Sequence, residues 1–558
     1  MNESNQLIQK KIENLRKKRV NLKVKLKKNL IKENKSKYQC IAIITLVGLI
    51  VGICLLLGLF IFRIKNHYNN NYDIPNINEQ QNHNETQQNS SNNPQNSNIN
   101  KPVSLDTSIK FDLEKYKNDI KENKQKDDPS CDELDPINIL SRRLDSKPTT
   151  ICENGKSIHI CYKNDDDIFV SPNGVICKME NIILDPSKWQ DRGFIYKGPI
   201  DPSSRGCPLL DKGFFNIKCE NKTIKYSGYD FIYNSYFDGW NYDYKEKEDE
   251  EELAPGKTIF FLSRNQDSPN LYHGGSEFVN ALSMMFLLNL NPEDIQVVFL
   301  DGIALNDDPF YDLYKQLVSR GGEPIFVKNL KKKYHISSAF HIPINWDSPC
   351  FIHSGIPTCK YPTKTYKFYN DLIAKYMNIP NYVDSFKSDD DIFYYPKSVI
   401  ESHNSNINFT KIVTFQWRRV WPEGRTGQQR ILGNGPQLAE RLTQHLPKNI
   451  LVRLIDTARL PISEQIAILK KTDYFVGMHG AGLCLSIYSP NHCIFHEVLP
   501  RSNMNGLLLM AALSGHKTYS DIINSSERQD NGNELFNFNE DDFVNTVIEH
   551  MKENKFID

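Results

Sequence analysis

One long apolar run interrupts an otherwise polar N-terminal region. Residues 40–62 are 23 consecutive residues without a charge. A helix of about 20 apolar residues crosses a bilayer, whereas the apolar part of a signal peptide is shorter, about 7–15 residues. The run therefore predicts an uncleaved transmembrane signal anchor. The alternative, a buried core helix, would be unusually long and uniformly apolar.

The pattern after the anchor is polar. Residues 66–105 are dominated by Asn, Gln and Ser, and charge-rich sequence continues to about residue 129. A segment of this kind buries too little apolar surface to offset the entropy lost on ordering. We therefore predict a low-complexity, disordered stem over residues 63–130.

Residues 131–252 combine short apolar runs with six cysteines, at positions 131, 152, 161, 177, 207 and 219. No C-x-x-C pair occurs among them, which argues against zinc. We expect a disulfide-braced region that packs on the N-terminal lobe.

Residues 253–405 alternate between strand and helix patterns. Predicted strands cover 258–262, 295–300 and 324–327, and predicted helices cover 276–290, 311–319 and 366–377. Alternation of this kind is typical of a parallel, doubly wound sheet.

Residues 406–558 repeat the alternation. Predicted strands cover 411–415, 450–455, 474–477 and 493–498, and predicted helices cover 435–445, 464–471 and 483–488, the second capped by Ser463. The sequence therefore predicts an α/β protein with two Rossmann-like lobes facing a cleft, in which ligands bind outside the carboxyl ends of the strands.

The distribution of charged residues predicts the orientation of the chain across the membrane. The chain carries 68 Lys+Arg and 68 Asp+Glu, so no overall basic bias indicates nucleic acid. Residues 1–39 hold 13 Lys/Arg against 3 Asp/Glu. The positive-inside rule then predicts a cytosolic tail over residues 1–39 and a luminal remainder, which is a single-pass type II topology.

Two further features fit a luminal chain. Ten of the 12 cysteines follow the anchor, an even number that suits disulfides in an oxidising compartment. N-glycosylation acceptor motifs occur at Asn84, Asn89, Asn221, Asn408 and Asn524.

The strongest local motif is His479-Gly480-Ala481-Gly482, between a predicted strand and a predicted helix. Glycine lets a backbone approach a ligand closely, and a helix start offers unpaired N–H groups to a pyrophosphate. His479 would donate to a phosphate oxygen or to the leaving group. The alternative is a tight turn without a ligand.

Five segments in order resemble glycosyltransferase family 61, over about residues 255–520. They are LYHGGSEFVNALS (271–283), QVVFLDG (296–302), VTFQWRR…RILGN (413–434), VRLIDTARLPISEQIAILKKTD (452–473), and VGMHGAGL followed by CIFHEVLP. Members similar to this sequence include plant-type β1,2-xylosyltransferases and EGF-domain O-GlcNAc transferases. The resemblance implies a GT-B fold and an inverting transfer of xylose or N-acetylglucosamine from a UDP-sugar to a glycan or glycoprotein.

The resemblance also implies a set of donor-binding residues. Arginines suit a leaving diphosphate, since their planar forks match phosphate oxygens. The predicted donor set is Arg418, Arg419, Arg430, Asn434, Asp456, Gly480, Ala481, Gly482 and Glu497. Within it, Glu497 would hold the ribose hydroxyls, and Asp456 would either line the nucleotide pocket or cap a helix.

Inversion requires a base for the acceptor hydroxyl. His273 and Glu277 are four residues apart on one predicted helix and share a face. Glu277 is the candidate base, with a purely structural hydrogen bond as its alternative. His273, Glu277 and His479 form the predicted catalytic group.

We expect that the reaction requires no metal and no cofactor beyond the UDP-sugar co-substrate. The acidic triplets at 165–167 and 389–391 lie in polar surroundings typical of solvated loops. Arginines and helix N-termini suffice to neutralise a diphosphate.

Two other functions fit the pattern less well. One is a catalytically inactive, membrane-anchored glycan-binding or structural protein on the same fold. The other is a different nucleotide-dependent luminal enzyme, although the first lobe has no G-x-G-x-x-G turn. The terminal KENKFID lacks a KDEL-type signal, which favours the Golgi membrane over the endoplasmic reticulum.

Overall fold

The computed structural model describes the chain from residue 113 onwards, with gaps. The described residues are 113–114, 117–118, 129–153, 156–162, 175–191, 208–219, 236–245, 250–264, 270–302, 310–320, 322–343, 357–384, 386, 392–420, 430–500, 506–530 and 533–558. The predicted tail, anchor and most of the stem lie outside them. Among the described residues, no helix is both long and apolar enough to span a bilayer.

The first sheet contains both antiparallel and parallel strands. Its strands are β1 (Thr149–Glu153), β2 (Ile158–Tyr162), β3 (Ile176–Leu184), β6 (Phe215–Asn216), β7 (Trp240–Asn241), β8 (Thr258–Leu262), β9 (Ile295–Phe299), β10 (Ile325–Phe326) and β11 (Tyr334–His341). The main path of the sheet runs in the order β1-β2-β3-β11-β8-β9-β10, and β6 and β7 extend it from β3. A separate ribbon pairs β4 (Trp189–Asp191) with β5 (Pro208–Leu210).

The cysteine-rich region is continuous with the first lobe. Strand β3 pairs antiparallel with β11, and β11 pairs parallel with β8. The strands of residues 131–252 therefore extend the first-lobe sheet.

The second sheet has the order β12-β15-β13-β16-β17-β18, and every neighbouring pair except β12 with β15 is parallel. A three-stranded sheet, β14-β20-β19, is formed by strands from the same part of the chain. These strands are β12 (Phe393–Tyr394), β13 (Lys411–Gln416), β14 (Arg430–Leu432), β15 (Ile450–Ile455), β16 (Tyr474–Met478), β17 (Ile494–Leu499), β18 (Lys517–Ile522), β19 (Ser525–Asp530) and β20 (Asn533–Phe538).

The helices follow the alternation predicted for the two lobes. They are α1 (Pro129–Leu134), α2 (Pro136–Leu144), α3 (Leu271–Leu287), α4 (Tyr311–Leu313, continued by a π-helical turn at Tyr314–Val318), α5 (Lys364–Tyr376), α6 (Lys397–Asn404), α7 (Gly435–Thr443), α8 (Ile462–Leu469), α9 (Gly506–Leu513) and α10 (Glu540–Glu553). Short 3-10 helices cover Pro186–Lys188, Pro292–Asp294, Val327–Asn329 and Thr457–Arg459, and a longer one, the His-loop helix, covers Ala481–Tyr488. The protein is therefore mixed α/β with several sheets.

Helix α3 begins five residues before its predicted start. Asn270 caps it by accepting a hydrogen bond from the Tyr272 amide at 3.0 Å. Gly274 and Gly275 lie inside the helix, although glycine there costs about 1 kcal/mol relative to alanine. Burial of most of the helix offsets that cost, since Phe278 and Leu282 are fully buried.

The predicted N-cap at Ser463 is wrong. Helix α8 begins at Ile462 with Pro461 in the cap position, and the Glu464 amide donates to the Pro461 carbonyl at 3.0 Å. Proline is tolerated at this position because the N–H that it lacks would have no partner within the helix.

Disulfides are confirmed for six cysteines. The pairs are Cys131–Cys359, Cys152–Cys219 and Cys161–Cys177. The first pair fastens α1 to the segment before α5. Asp135 strengthens the same attachment by accepting hydrogen bonds from the Thr365 amide at 2.9 Å and its hydroxyl at 2.8 Å.

The expectation that the luminal cysteines form disulfides is wrong for two of them. Cys484 and Cys493 are buried free thiols in the second lobe. Burial raises the pKa of Cys493 to about 12, so this thiol stays protonated and behaves as a small apolar side chain.

Three buried histidines make the fold sensitive to acid. Burial lowers the pKa of His159 and of His341 from 6.5 to about 3, and that of His516 to about 4. The His159 ring stacks on Trp240 at 3.9 Å between centroids and contacts the hydroxyls of Tyr236 and Tyr242. Below pH 6.5 the unfolded chain binds protons that these folded imidazoles exclude, so stability falls with falling pH.

We predict that His159→Gln weakens this acid sensitivity. Between pH 7 and pH 5 a buried histidine of this kind lowers the free energy of unfolding by about 2 kcal/mol. Denaturant unfolding at both pH values should show a loss about 2 kcal/mol smaller in His159→Gln than in the wild type. His492→Gln, at an exposed histidine, is the control and should match the wild type. An equal loss in His159→Gln and the wild type would contradict the account.

Candidate active site at the carboxyl edge of the second sheet

The second sheet reverses its strand order between β13 and β16. The chain passes from β13 to β15 on one side, and then returns to β16 on the other. Crevices at such reversals, outside the carboxyl ends of the strands, are where ligands bind in open α/β sheets. Gln416 ends β13, and His479 directly follows β16.

His479 and Glu497 form a buried pair at this edge. The His479 Nδ1 and the Glu497 Oε1 are 2.5 Å apart. Strand pairing sets the contact, because Gly477 is in register with Glu497 and the His479 amide donates to the Val498 carbonyl at 2.9 Å. With Nδ1 held by the carboxylate, Nε2 is the ring nitrogen available to a ligand.

Glu497 has a different partner from the predicted ribose. Its side chain is fully buried, and its second oxygen, Oε2, has no hydrogen-bond partner among the described residues. The structure thus gives Glu497 the position of a carboxylate that orients His479.

Arg418 ties the His479 loop to the segment before α7. Its Nη1 donates to the His479 carbonyl at 3.0 Å, and its Nε donates to the Arg430 carbonyl at 2.6 Å. The Leu432 amide donates to the Arg418 carbonyl at 2.8 Å. Three chain segments therefore meet at this one arginine.

Two glycines of the motif leave room for side chains from neighbouring segments. A Cβ at Gly480 would lie 1.3 Å from Arg418 Nη1, and a Cβ at Gly482 would lie 1.5 Å from Gln416 Nε2. The φ of Gly480 is 168°, an extended value open to any residue. Close approach of two polar side chains, and not backbone strain, explains the glycines.

The His-loop helix starts directly after Gly480. Its first turn closes with the Leu483 amide donating to the Gly480 carbonyl at 2.9 Å. The amides of Ala481 and Gly482 precede that bond and have no partner within the helix. Both residues are partly exposed, and the start of a helix is a favourable position for an anion.

Asp456 lies at the end of β15, between two arginines. Its Oδ2 is 3.0 Å from Arg459 Nε and 3.5 Å from Arg419 Nε. Burial raises the pKa of Asp456, against the hydrogen bond from Arg459, which lowers it. The Arg419 guanidinium also lies 4.6 Å from the centre of the Trp417 ring.

Arg430 and Asn434 flank the short strand β14. Arg430 begins this strand and is half-buried. The Asn434 amide group clamps the end of β20: its Nδ2 donates to the Phe538 carbonyl at 2.8 Å, and its Oδ1 accepts from the Phe538 amide at 3.1 Å. Asn434 thus fixes the strand that carries Arg430.

The predicted acceptor-side residues lie on α3. His273 is half-buried in its first turn, and Glu277 is buried one turn later. Helix α3 contacts the His-loop helix. Helix α5 supports the same contact, because the hydroxyls of Tyr369 and Tyr488 are 2.6 Å apart. The structure therefore connects the His273–Glu277 helix to the His479 loop through packed helices.

The sequence pattern did not indicate a role for four residues at the sheet edges. Gln416 and Arg459 belong to the second lobe, where their positions beside a strand end were the available signal. In the first lobe, Arg264 and Asp301 follow β8 and β9 and form a fully buried, bidentate ion pair at 2.7 and 3.1 Å. That pair joins two strand ends by paired hydrogen bonds.

The remaining predicted positions lie elsewhere. Asn408 and Asn524 are exposed, as glycosylation requires, whereas Asn84, Asn89 and Asn221 and both acidic triplets lie outside the described residues. A cavity of about 760 Å³ between α7 and the start of α10 is lined by residues that include Gln437, Arg441 and Asp541. None of the predicted site residues lines that cavity.

Comparison with protein families matches part of the chain. A family model described as Glycosyltransferase 61 matches residues 271–495, which run from the first residue of α3 into β17. No curated protein matches the chain. The matched segment includes every residue of the predicted catalytic and donor sets except Glu497, which follows shortly after its end on the same strand.

We predict that Gly480→Ala destabilises the protein by about 1–3 kcal/mol, because it displaces the Arg418 guanidinium from the His479 carbonyl that it binds. The cause is the collision with Arg418, so the same substitution should cost much less in an Arg418→Ala background. A double-mutant cycle by denaturant unfolding measures this coupling. An equal cost in both backgrounds would contradict the contact between Arg418 and the loop.

Proposed function

Residues 271–495 belong to glycosyltransferase family 61, and from this premise we propose an inverting reaction for the chain. The chain is a glycosyltransferase; the proposed reaction moves xylose or N-acetylglucosamine from a UDP-sugar to a glycan or glycoprotein acceptor. We take the two large sheets as the two lobes of a GT-B fold. The second sheet binds the donor, and the first lobe, with α3, supplies the acceptor side.

One observation carries the donor assignment. His479 and Arg418 stand on the two sides of the strand reversal between β13 and β16, and they are joined by a hydrogen bond of 3.0 Å. A nucleotide at this reversal has its diphosphate beside His479 and the start of the His-loop helix.

The leaving UDP develops negative charge, and the proposed site meets it with groups already in place. The amides of Ala481 and Gly482 and the side chains of Arg419 and Arg430 are the proposed donors. When the His479 imidazole is protonated, the proton on Nε2 is available to a phosphate oxygen, while Glu497 holds the proton on Nδ1. These groups supply the diphosphate with hydrogen bonds, so the proposed reaction needs no metal.

The proposed roles of Arg418 and Asn434 are positional. Each makes the backbone contacts described above, which set the distance between the His479 loop and the strand that carries Arg430. Asp456 has a similar role toward Arg419, since their side chains are 3.5 Å apart.

Glu277 is the proposed base, and His273 its partner one helical turn earlier. The base accepts the proton of the acceptor hydroxyl as that oxygen attacks the anomeric carbon and UDP departs from the opposite face. Packing of α3 against the His-loop helix couples this group to the donor side.

We further propose a type II membrane protein of the Golgi, with residues 63–558 in the lumen. The apolar run 40–62 and the basic tail support a single membrane anchor with a luminal C-terminal part. The acceptor motifs at exposed Asn408 and Asn524 support the luminal side. Three disulfides agree with an oxidising compartment.

A second candidate function is a glycan-binding or structural protein that has lost activity. One observation favours it: several polar groups at the edge are engaged in internal contacts, including Arg418, Asn434 and Glu497. Catalysis and binding differ in one measurable respect, since only the enzyme releases UDP from a UDP-sugar.

The test is a thermal-unfolding titration of the full chain in detergent with UDP, UDP-xylose and UDP-N-acetylglucosamine. We expect UDP and one UDP-sugar to raise the unfolding temperature by an increment that survives EDTA. His479→Ala and Arg430→Ala should remove most of the increment and reduce UDP release by about 100-fold or more, the usual cost of losing one such donor. No increment with any nucleotide would favour the second candidate.

Glu277→Gln is the matched variant for the acceptor side. It should keep the UDP increment and lose UDP release to an acceptor, because it removes a base without touching the donor groups. Loss of the increment in Glu277→Gln would instead assign this residue to the stability of α3.

A further inference from the structure

Three side chains outside the proposed active site converge at one point. His496 lies on β17, Asp521 on β18 and His550 near the end of α10. The Asp521 Oδ2 is 3.0 Å from His496 Nε2 and 2.7 Å from His550 Nε2. His496 is fully buried, whereas about a third of the Asp521 side chain is exposed.

Both imidazoles present the same nitrogen to this point, and other groups face their opposite nitrogens. The Tyr474 hydroxyl is 3.0 Å from His496 Nδ1, and the Glu553 Oε2 is 3.8 Å from His550 Nδ1. The Tyr519 ring stacks on His550 at 3.7 Å between centroids. The Tyr474 contact is a hydrogen bond of the kind that orients a metal-binding histidine through its second nitrogen.

We infer that His496, Asp521 and His550 bind a zinc ion. Two imidazole nitrogens and one carboxylate oxygen are a ligand set that zinc accepts. Zinc holds nitrogen ligands at about 2.0–2.1 Å, which in a tetrahedron separates neighbouring ligand atoms by about 3.3 Å. The Asp521 Oδ2 lies 3.0 and 2.7 Å from the two nitrogens, which is about 0.3 and 0.6 Å short of this separation.

The charges at the cluster favour a cation there. The Glu553 carboxylate, 3.8 Å from His550 Nδ1, adds a second negative charge beside that of Asp521. Asp521 accepts a hydrogen bond from His550 Nε2 at 2.7 Å in the structure, and a cation bound between them would take the place of that proton. Zinc fulfils this role for both histidines at once, with water in the fourth position on the exposed side of Asp521.

One other cluster among the described residues has the composition of a metal site but is unsuitable. It consists of His159, Cys161 and Cys177. The two cysteines form a disulfide, so neither sulfur is available as a thiolate ligand.

The zinc ion joins β17, β18 and α10, and thereby fastens the last helix to the second sheet. His496 directly precedes Glu497, the partner of His479, on β17. The ion therefore stabilises the strand that orients His479 without taking part in transfer. This inference is independent of the proposed donor and acceptor.

The test measures zinc in the full chain after purification and dialysis against metal-free buffer. We expect about one zinc per chain by elemental analysis, and a wild-type unfolding temperature that falls with EDTA and recovers with added zinc. His496→Gln and His550→Gln should lose the zinc and the response to EDTA. The control is His492→Gln, at an exposed histidine 2.7 Å from Asp473, and it should retain both.

A measurement on the wild type alone guards against variants that fail to fold. Cobalt(II) added to the metal-depleted chain should give the visible absorption of a tetrahedral site, and zinc should displace it. Absence of zinc and of that absorption in the wild type would overturn the inference and leave a hydrogen-bonded cluster. Zinc retained in both His496→Gln and His550→Gln would overturn it as well.

Discussion

The guanidinium of Arg418 holds the proposed active site together. It binds the carbonyls of His479 and Arg430. His479 directly follows β16, and Arg430 begins β14. A carbonyl bound by a guanidinium is held more strongly than one bound by a neutral donor. Glycine at position 480 preserves this contact, because a side chain there would displace the guanidinium. The position of His479, and of the helix that starts after it, therefore depends on the Arg418 guanidinium and on the absence of a side chain at Gly480.

The sequence predicted much of this arrangement. Strands 411–415, 450–455, 474–477 and 493–498 were visible as apolar runs, and each corresponds to a strand of the second sheet. Their parallel pairing brings their carboxyl ends to one edge, which is why residues that follow them in sequence meet in space. The family resemblance is confirmed by the match over residues 271–495.

Other features depend on contacts that a linear pattern does not contain. The pairing of β3 with β11 joins residues far apart in sequence, so the continuity of the cysteine-rich region with the first lobe was not visible. The partner of Glu497 was missed because the register of β16 and β17 decides it. Likewise, the cluster of His496, Asp521 and His550 comes from three elements that carry no common motif.

UDP is proposed to bind at the carboxyl edge of the second sheet, against the His-loop helix. Hydrogen exchange of the full chain with and without UDP tests this binding site most directly, since bound phosphate protects the amides that it accepts from. We predict slower exchange in peptides that cover residues 478–488. Unchanged exchange there, with protection instead around Gln437 and Asp541 at the 760 Å³ cavity, would contradict the proposed site.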